Sequence, residues 1–131
     1  MLTLRKTFRF EAAHRLPDHD GKCARLHGHS WLLTVEVQGF VSQFQGPKAG
    51  MLVDYGELKQ YVQPIVDEYL DHHFLNETLG ITSPTSELVA MWVFEVILTA
   101  LPPRRDRGYR LKAVEIDETC TSSCRFEGVD E

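Results

Sequence analysis

His27 and His29 stand two residues apart in the stretch Lys22-Cys23-Ala24-Arg25-Leu26-His27-Gly28-His29. On a β-strand that spacing puts both imidazoles on one face, roughly 6–7 Å apart at Cα. Such a pair can converge on a metal ion, and His14, upstream, could complete a three-nitrogen site from a neighbouring strand. Three protein ligands with one open position is the arrangement of catalytic zinc, whereas structural zinc is closed by four. Cys23 precedes the pair closely enough to act on a bound substrate without being a ligand. Asp71-His72-His73 offers an acid/base element. The same histidines also suit a helix C-terminus, where the macrodipole favours a cation. Glu118 closes an apolar run, and a carboxylate there is costly unless paired.

The elements that would carry these residues follow from periodicity. From Leu2 to His14 the even positions are mostly apolar (Leu2, Leu4, Phe8, Phe10, Ala12) and the odd ones mostly polar, which predicts a half-buried strand ending at His14. Pro17, Asp18, Asp20 and Gly21 predict a loop. A second strand, from Leu26 to Val41, carries His27, His29, Trp31, Leu33, Val35 and Val37 on one parity. All three histidines therefore fall on the covered faces of consecutive strands, and antiparallel pairing would bring His14 beside the pair. Three separately satisfied core histidines are the competing reading, which would bury three polar rings in one place without a reason.

Ser42 to Met51 reads as a second loop. Asp54 is a helix N-cap with Glu57 placed for a capping box. Tyr55, Leu58, Val62, Ile65, Val66 and Tyr69 then form a helical stripe to Leu70, with a kink expected at Pro64. Ser83-Pro84-Thr85-Ser86-Glu87 starts a second helix with Leu88, Val89, Trp92, Val93, Val96, Ile97 and Ala100 as its apolar stripe, stopped by Pro102-Pro103. Arg104 to Arg110 reads as a polar turn and Tyr109 to Thr119 as a third strand with Val114, Ile116 and Glu118 on one face. A tight connection from Thr119 to Cys124 leads to a short last strand, Arg125 to Gly128. Cys120 and Cys124 read as ordinary small residues.

Composition narrows the classes. A length of 131 residues with 43% hydrophobic and 25% charged content predicts one soluble globular domain, 1–131. A net charge of −5 without a basic run argues against a nucleic-acid surface. No apolar stretch approaches the roughly 18 residues of a membrane span. The alternating N-terminus reads as a strand rather than a signal peptide. An odd count of three cysteines fits a reducing cytoplasm.

In order along the chain stand Phe10-Glu11-Ala12-Ala13-His14, Cys23-x-x-x-His27-Gly28-His29, Asp71-His72-His73-x-Leu75-Asn76, Pro84-Thr85-Ser86-Glu87 and Glu118-Thr119-Cys120-Thr121. Together they closely resemble the 6-pyruvoyl-tetrahydropterin synthase superfamily. The three-residue gap after Cys23 is similar to its carboxy-pterin branch in the queuosine pathway; the gap is typically longer in the pyruvoyl branch.

The resemblance implies an α+β tunnelling fold: a four-stranded antiparallel sheet, β-β-α-α-β-β, with two helices on one face. It also implies a homo-oligomer, a hexamer built as a dimer of trimers, whose sheets close into a barrel. The polar parity of Thr3, Arg5, Thr7, Arg9, Thr34, Glu36 and Gln38 suits a hydrated lumen. By resemblance, His14, His27 and His29 are zinc ligands, Cys23 is the catalytic cysteine and Asp71 with His72 its acid/base partner, placed beside a neighbouring subunit's zinc site. Glu118 anchors the pterin, while Thr85 and Ser86, near a helix N-terminus, could supply further polar contacts; Lys22 and Arg25 are the nearest basic candidates for the triphosphate and read equally well as solvated loop charges. The implied reaction converts 7,8-dihydroneopterin triphosphate to 6-carboxy-5,6,7,8-tetrahydropterin, acetaldehyde and triphosphate. A pyruvoyl-type synthase and a zinc-stabilised module without turnover are the alternatives.

Overall fold

The period-two stretches pair into one sheet, as a computed structural model of residues Met1–Glu131 describes it. β1 (Leu2–His14) and β2 (His27–Gly39) run antiparallel over their whole length, from Leu2 opposite Gly39 to His14 opposite His27. β4 (Tyr109–Thr119) pairs with β2, and β5 (Ser122–Glu127) with β4, both antiparallel. β3 is only His73–Phe74 and lies parallel to β1 at Ala12 and Ala13, giving the order β3-β1-β2-β4-β5. The expected four antiparallel strands are thus five with one parallel edge, and the sheet is open. Two residues cannot display a period, so β3 left no trace in the pattern. β5 starts at Ser122, so Cys124, expected in the connection, lies within the strand.

One face of the sheet carries the core. Phe8, Phe10, Trp31, Leu33, Val35, Val114 and Ile116 are buried in one cluster with Leu58, Val62, Val89, Val93 and Ile97 from the helices. α1 (Tyr55–Ile65) begins at Asp54, whose carboxylate accepts from Gly56 N at 2.8 Å. Glu57 makes no return bond to Asp54 N, so the expected capping box is only half formed, and Lys48 pairs instead with the Asp54 carboxylate. Pro64 lies within α1, and the chain then opens into one π-helical turn, Val66–Leu70, closed by Asp71 N on Val66 O at 2.7 Å. Proline lacks the N–H that would continue the α ladder, so the hydrogen bonding changes just beyond it.

α2 (Leu75–Thr78) is a single turn, and α3 (Ser86–Ala100) is capped by Thr85. The buried stripe of α3 is Val89, Ala90, Val93, Phe94 and Ile97, while Leu88 and Ala100, expected inside, are exposed. That helix is apolar on nearly all sides, so spacing alone did not select its inner face. α4 (Arg104–Arg107) occupies the expected polar turn. Arg107 Nη2 donates to Asp130 Oδ2 at 2.7 Å, with both side chains buried, and Leu111 N donates to the same oxygen at 2.7 Å.

The opposite face is polar, and its side chains cover one another. Glu36, with only 5% of its side chain exposed, takes two bonds from Arg125, at 2.8 and 3.1 Å, and one from Arg5 at 3.2 Å. Arg5 reaches on to Glu115 at 2.8 Å. These bonds hold the Glu36 carboxyl below its ordinary value, those from Arg125 most strongly.

Candidate metal centre and active site

Full-length pairing of β1 with β2 puts His14 opposite His27, and parity puts both with His29 on the core face. Their ring centroids lie 4.5 to 5.3 Å apart. His14 Nδ1 is 2.8 Å from Pro84 O, and His27 Nδ1 is 2.7 Å from Arg25 O. A carbonyl can only accept, so each Nδ1 carries the proton and each Nε2 keeps its lone pair. This is the outer-shell arrangement that fixes the orientation of a metal-ligating histidine. Burial, the largest influence on His14, lowers its pKa and favours the neutral ring, with the Pro84 bond opposing.

Glu118 joins the histidines. It is the extra residue where the β4–β5 register shifts between Asp117 and Thr119, and a bulge of this kind re-aims a side chain. Its Oε1 lies 2.9 Å from His29 Nε2 and 3.5 Å from His14 Nε2. One ligand atom from each of His14, His27, His29 and Glu118 falls within 4.8 Å of all the others. Even so, His14 Nε2 and His29 Nε2 are buried without a hydrogen bond, and at His14 the Nε2 lone pair faces a carboxylate that has no proton to give it. Buried polar atoms are ordinarily satisfied. Convergent unpartnered nitrogens are what a cation would satisfy, so the residues present fit a metal ion.

Cys23 sits half-buried in a 3₁₀ turn, Lys22–Ala24, outside the four-residue cluster. Asp71 and His72 are adjacent, with His72 Nδ1 3.0 Å from Asp71 Oδ2, and the His72 side chain is 79% exposed. His72 is the one non-glycine residue at positive φ, 60°, and its N–H donates to Glu11 O at 2.5 Å. Glu11 N in turn donates to Asp71 Oδ1 at 2.8 Å, which holds the Asp71 carboxyl below its ordinary range. His72, but not Asp71, borders an open groove of about 550 Å³ with Glu11, Ala13, His29 and Ser30. Thr85 Oγ1 caps α3 by accepting from Leu88 N at 3.2 Å, and Ser86 Oγ stands 3.4 Å from Glu118 Oε2. Lys22 and Arg25 are exposed and line no cavity with the histidines.

Sequence reasoning missed three participants. Trp31 packs edge-on against His14 and His29, at 5.0 and 5.4 Å, and donates to Ala12 O at 3.1 Å, forming the floor of the cluster. Its parity with His29 was the available signal. Pro84 supplies the carbonyl for His14, which no spacing announces. Arg9 lines a second groove, of about 690 Å³, with His29, Ser30, Asp117 and Glu118, and has no ion-pair partner. The free cysteines Cys120 and Cys124 take no part in the cluster.

A mixed sheet with three imidazoles and a bulged carboxylate converging at one end makes a site able to hold a metal ion, and the chain belongs to the 6-pyruvoyl tetrahydropterin synthase family, whose model matches residues 3–129. Among its relatives, the 6-carboxy-5,6,7,8-tetrahydropterin synthase of Synechocystis sp. is 44% identical over 126 residues, 96% of this chain and 93% of that one. The enzyme of the same name from Haemophilus influenzae is 29% identical over 147 residues, covering 97% and 99%. The structure of Caenorhabditis elegans 6-pyruvoyl tetrahydropterin synthase superposes with a TM-score of 0.81 at 29% identity, covering 98% of this chain and 96% of that one.

Proposed function

We propose that this chain is a zinc-dependent lyase that converts 7,8-dihydroneopterin triphosphate to 6-carboxy-5,6,7,8-tetrahydropterin with release of acetaldehyde and triphosphate. It would act in queuosine and 7-deazapurine biosynthesis in the cytoplasm, as one synthase domain. The observation that carries the reading is the convergence of His14, His27 and His29 with two buried nitrogens left unpartnered. Identity to the Synechocystis synthase over nearly the whole chain supports the carboxy-pterin product. No helix is long and apolar enough to cross a membrane.

In this reading the three imidazoles hold zinc, which when bound supplies Lewis-acid polarisation of the substrate's side-chain oxygens. Cys23, as thiolate on the turn before His27, removes a side-chain proton. His72 Nε2 returns or relays protons, since its Nδ1 is engaged by Asp71. Glu118 belongs to the substrate rather than to the metal: a three-nitrogen site needs no carboxylate, and two carboxylate oxygens can accept two bonds from an amino-pyrimidine edge. Thr85 and Ser86 stand beside it, Ser86 already near its Oε2. Arg9, without an ion-pair partner in the groove that also holds His29 and Glu118, replaces Lys22 and Arg25 as the cation for the triphosphate.

A homo-oligomer, assembled as a dimer of trimers, completes the site. Two observations support it. β3 covers the outer edge of β1 only at Ala12 and Ala13, and nothing pairs with the outer edge of β5. The His72 imidazole is mostly exposed and outside its own chain's histidine cluster, as a group serving a neighbouring subunit would be.

The deciding experiment is product analysis with zinc and 7,8-dihydroneopterin triphosphate. Acetaldehyde and 6-carboxy-tetrahydropterin in equal amounts are expected. Triphosphate release with the three-carbon side chain retained would instead make the chain a pyruvoyl-type synthase, the activity named for its C. elegans structural relative.

A further inference from the structure

The segment that carries His72 and His73 runs alongside the strand that carries His14, one contact per residue. His72 N meets Glu11 O, His73 pairs with Ala12, and Phe74 pairs with Ala13. There the parallel pairing ends, because α2 begins at Leu75 and turns the backbone away. Arg15, next to His14, would be left with both peptide groups unpaired. The side chain of Asn76 takes the missing place. Its Oδ1 accepts from Arg15 N at 3.0 Å, and its Nδ2 donates to Arg15 O at 2.8 Å. The carboxamide does for Arg15 what one more peptide of a paired strand would do.

The same Nδ2 also donates to Thr82 O at 2.9 Å. Two residues further on, Pro84 O receives the Nδ1 proton of His14. Asn76 therefore ties together the chain just after His14 and the chain just before the carbonyl that orients its ring. Only a primary amide meets all three demands. A carboxylate can accept from Arg15 N but would set its second oxygen against two carbonyls, and alanine meets none of the three.

We propose that Asn76 is a positioning residue for the histidine centre, clamping Arg15 and Thr82 so that the Pro84 carbonyl holds His14 with its Nε2 aimed at the metal. The inference rests on the reading of His14, His27 and His29 as metal ligands. Asn76 touches no ligand atom and acts through His14. Outer-shell partners of ligating histidines typically contribute 10–100-fold in metal affinity, and Asn76 lies one step beyond such a partner, so about tenfold is expected.

Cobalt(II) is a suitable probe, because its visible absorption reports ligand geometry as well as occupancy. Cobalt would be titrated into wild type, Asn76→Ala, Asn76→Asp, Thr78→Val and His29→Ala. Thr78 lies in the same helix and donates to Tyr69 O at 2.7 Å, so its loss weakens the segment without touching the clamp. Both Asn76 variants should bind cobalt about tenfold more weakly with a changed absorption envelope, while Thr78→Val keeps the wild-type affinity and spectrum at a comparable loss of thermal stability.

Wild-type affinity and spectrum in the folded Asn76 variants would overturn the inference, as would equal weakening by Thr78→Val. Failure of both Asn76 variants to fold would overturn it too, since a positioning residue leaves the fold standing. Absence of cobalt binding by wild type, or unchanged binding in His29→Ala, would instead remove the metal reading itself.

Discussion

Replacing Asp71 by asparagine separates geometry from proton chemistry at one atom. Asparagine has the same shape, and its Oδ1 can keep the 2.8 Å bond from Glu11 N. Its Nδ2 then faces His72 Nδ1, 3.0 Å from the oxygen it replaces. Two donors cannot face each other, so Nδ1 must become the acceptor and the ring proton moves to Nε2. The solvent-facing nitrogen of His72 thereby changes from acceptor to donor. Because both partners are substantially exposed, losing the charge pair costs at most about 1 kcal/mol of stability.

Turnover should respond differently. A positioned acid/base group contributes roughly 10²–10⁴-fold, or about 3–5 kcal/mol of barrier. Asp71→Asn should therefore lower kcat by at least about a hundredfold while its melting temperature stays near wild type. Acetaldehyde release can be followed through NADH oxidation by a coupled alcohol dehydrogenase. The carboxyl of Asp71 is held below its ordinary value of 3.8, first by Glu11 N and then by His72. The stability it contributes is thus present above that value and lost as pH falls through the lower folded one, a dependence the asparagine variant should lack. A kcat within threefold of wild type, with the protein folded, would refute the acid/base role of the pair.

His29→Ala should abolish the binding of about one zinc per chain, read by elemental analysis, while the circular dichroism of the sheet and helices is kept. Glu36→Gln should cost about 1–2 kcal/mol at neutral pH, the low end for a buried pair because Arg5 and Arg125 are themselves half exposed. Since Glu36 titrates below its ordinary 4.5 in the folded chain, that cost should be present above pH 4.5 and vanish as pH falls through the folded value, as denaturant titrations at several pH values can check. His72→Gly should abolish turnover yet leave stability unchanged or raised by up to about 1 kcal/mol, because relief at φ 60° offsets the entropy of glycine; a clear loss in melting temperature would refute the strain. Arg9→Gln should raise KM for the triphosphate substrate about tenfold without changing the affinity for unphosphorylated dihydroneopterin, consistent with loss of one charge-assisted contact.

The parity of the strands made the histidine cluster legible, because on a pleated sheet sequence position alone decides the face. His14, His27 and His29 needed only the assumption of antiparallel pairing, which their loop length invites. Glu118 was placed on the correct face by the same rule, but the bulge that turns it toward His29 depends on a two-residue connection to β5. Pro84 and Asn76 act through backbone carbonyls across long loops, where neither period nor charge marks a partner. The inner face of α3 was misjudged because Leu88, Met91 and Trp92 make it apolar on nearly every side. Lys22 and Arg25 stand near the histidines in sequence, whereas Arg9, on another strand, lines a groove with His29 and Glu118, a nearness that only the sheet pairing reveals.

Asp130 makes the integrity of one exposed stretch a practical matter. It neutralises Arg107 inside the fold and accepts the N–H of Leu111, with 4% and 3% of the two side chains exposed. Cleavage just before Asp130 would strand a buried guanidinium, at a cost of about 3–5 kcal/mol, a large part of a small domain's total stability. Preparations should therefore be checked by intact mass for retention of Asp130 before their activities are compared.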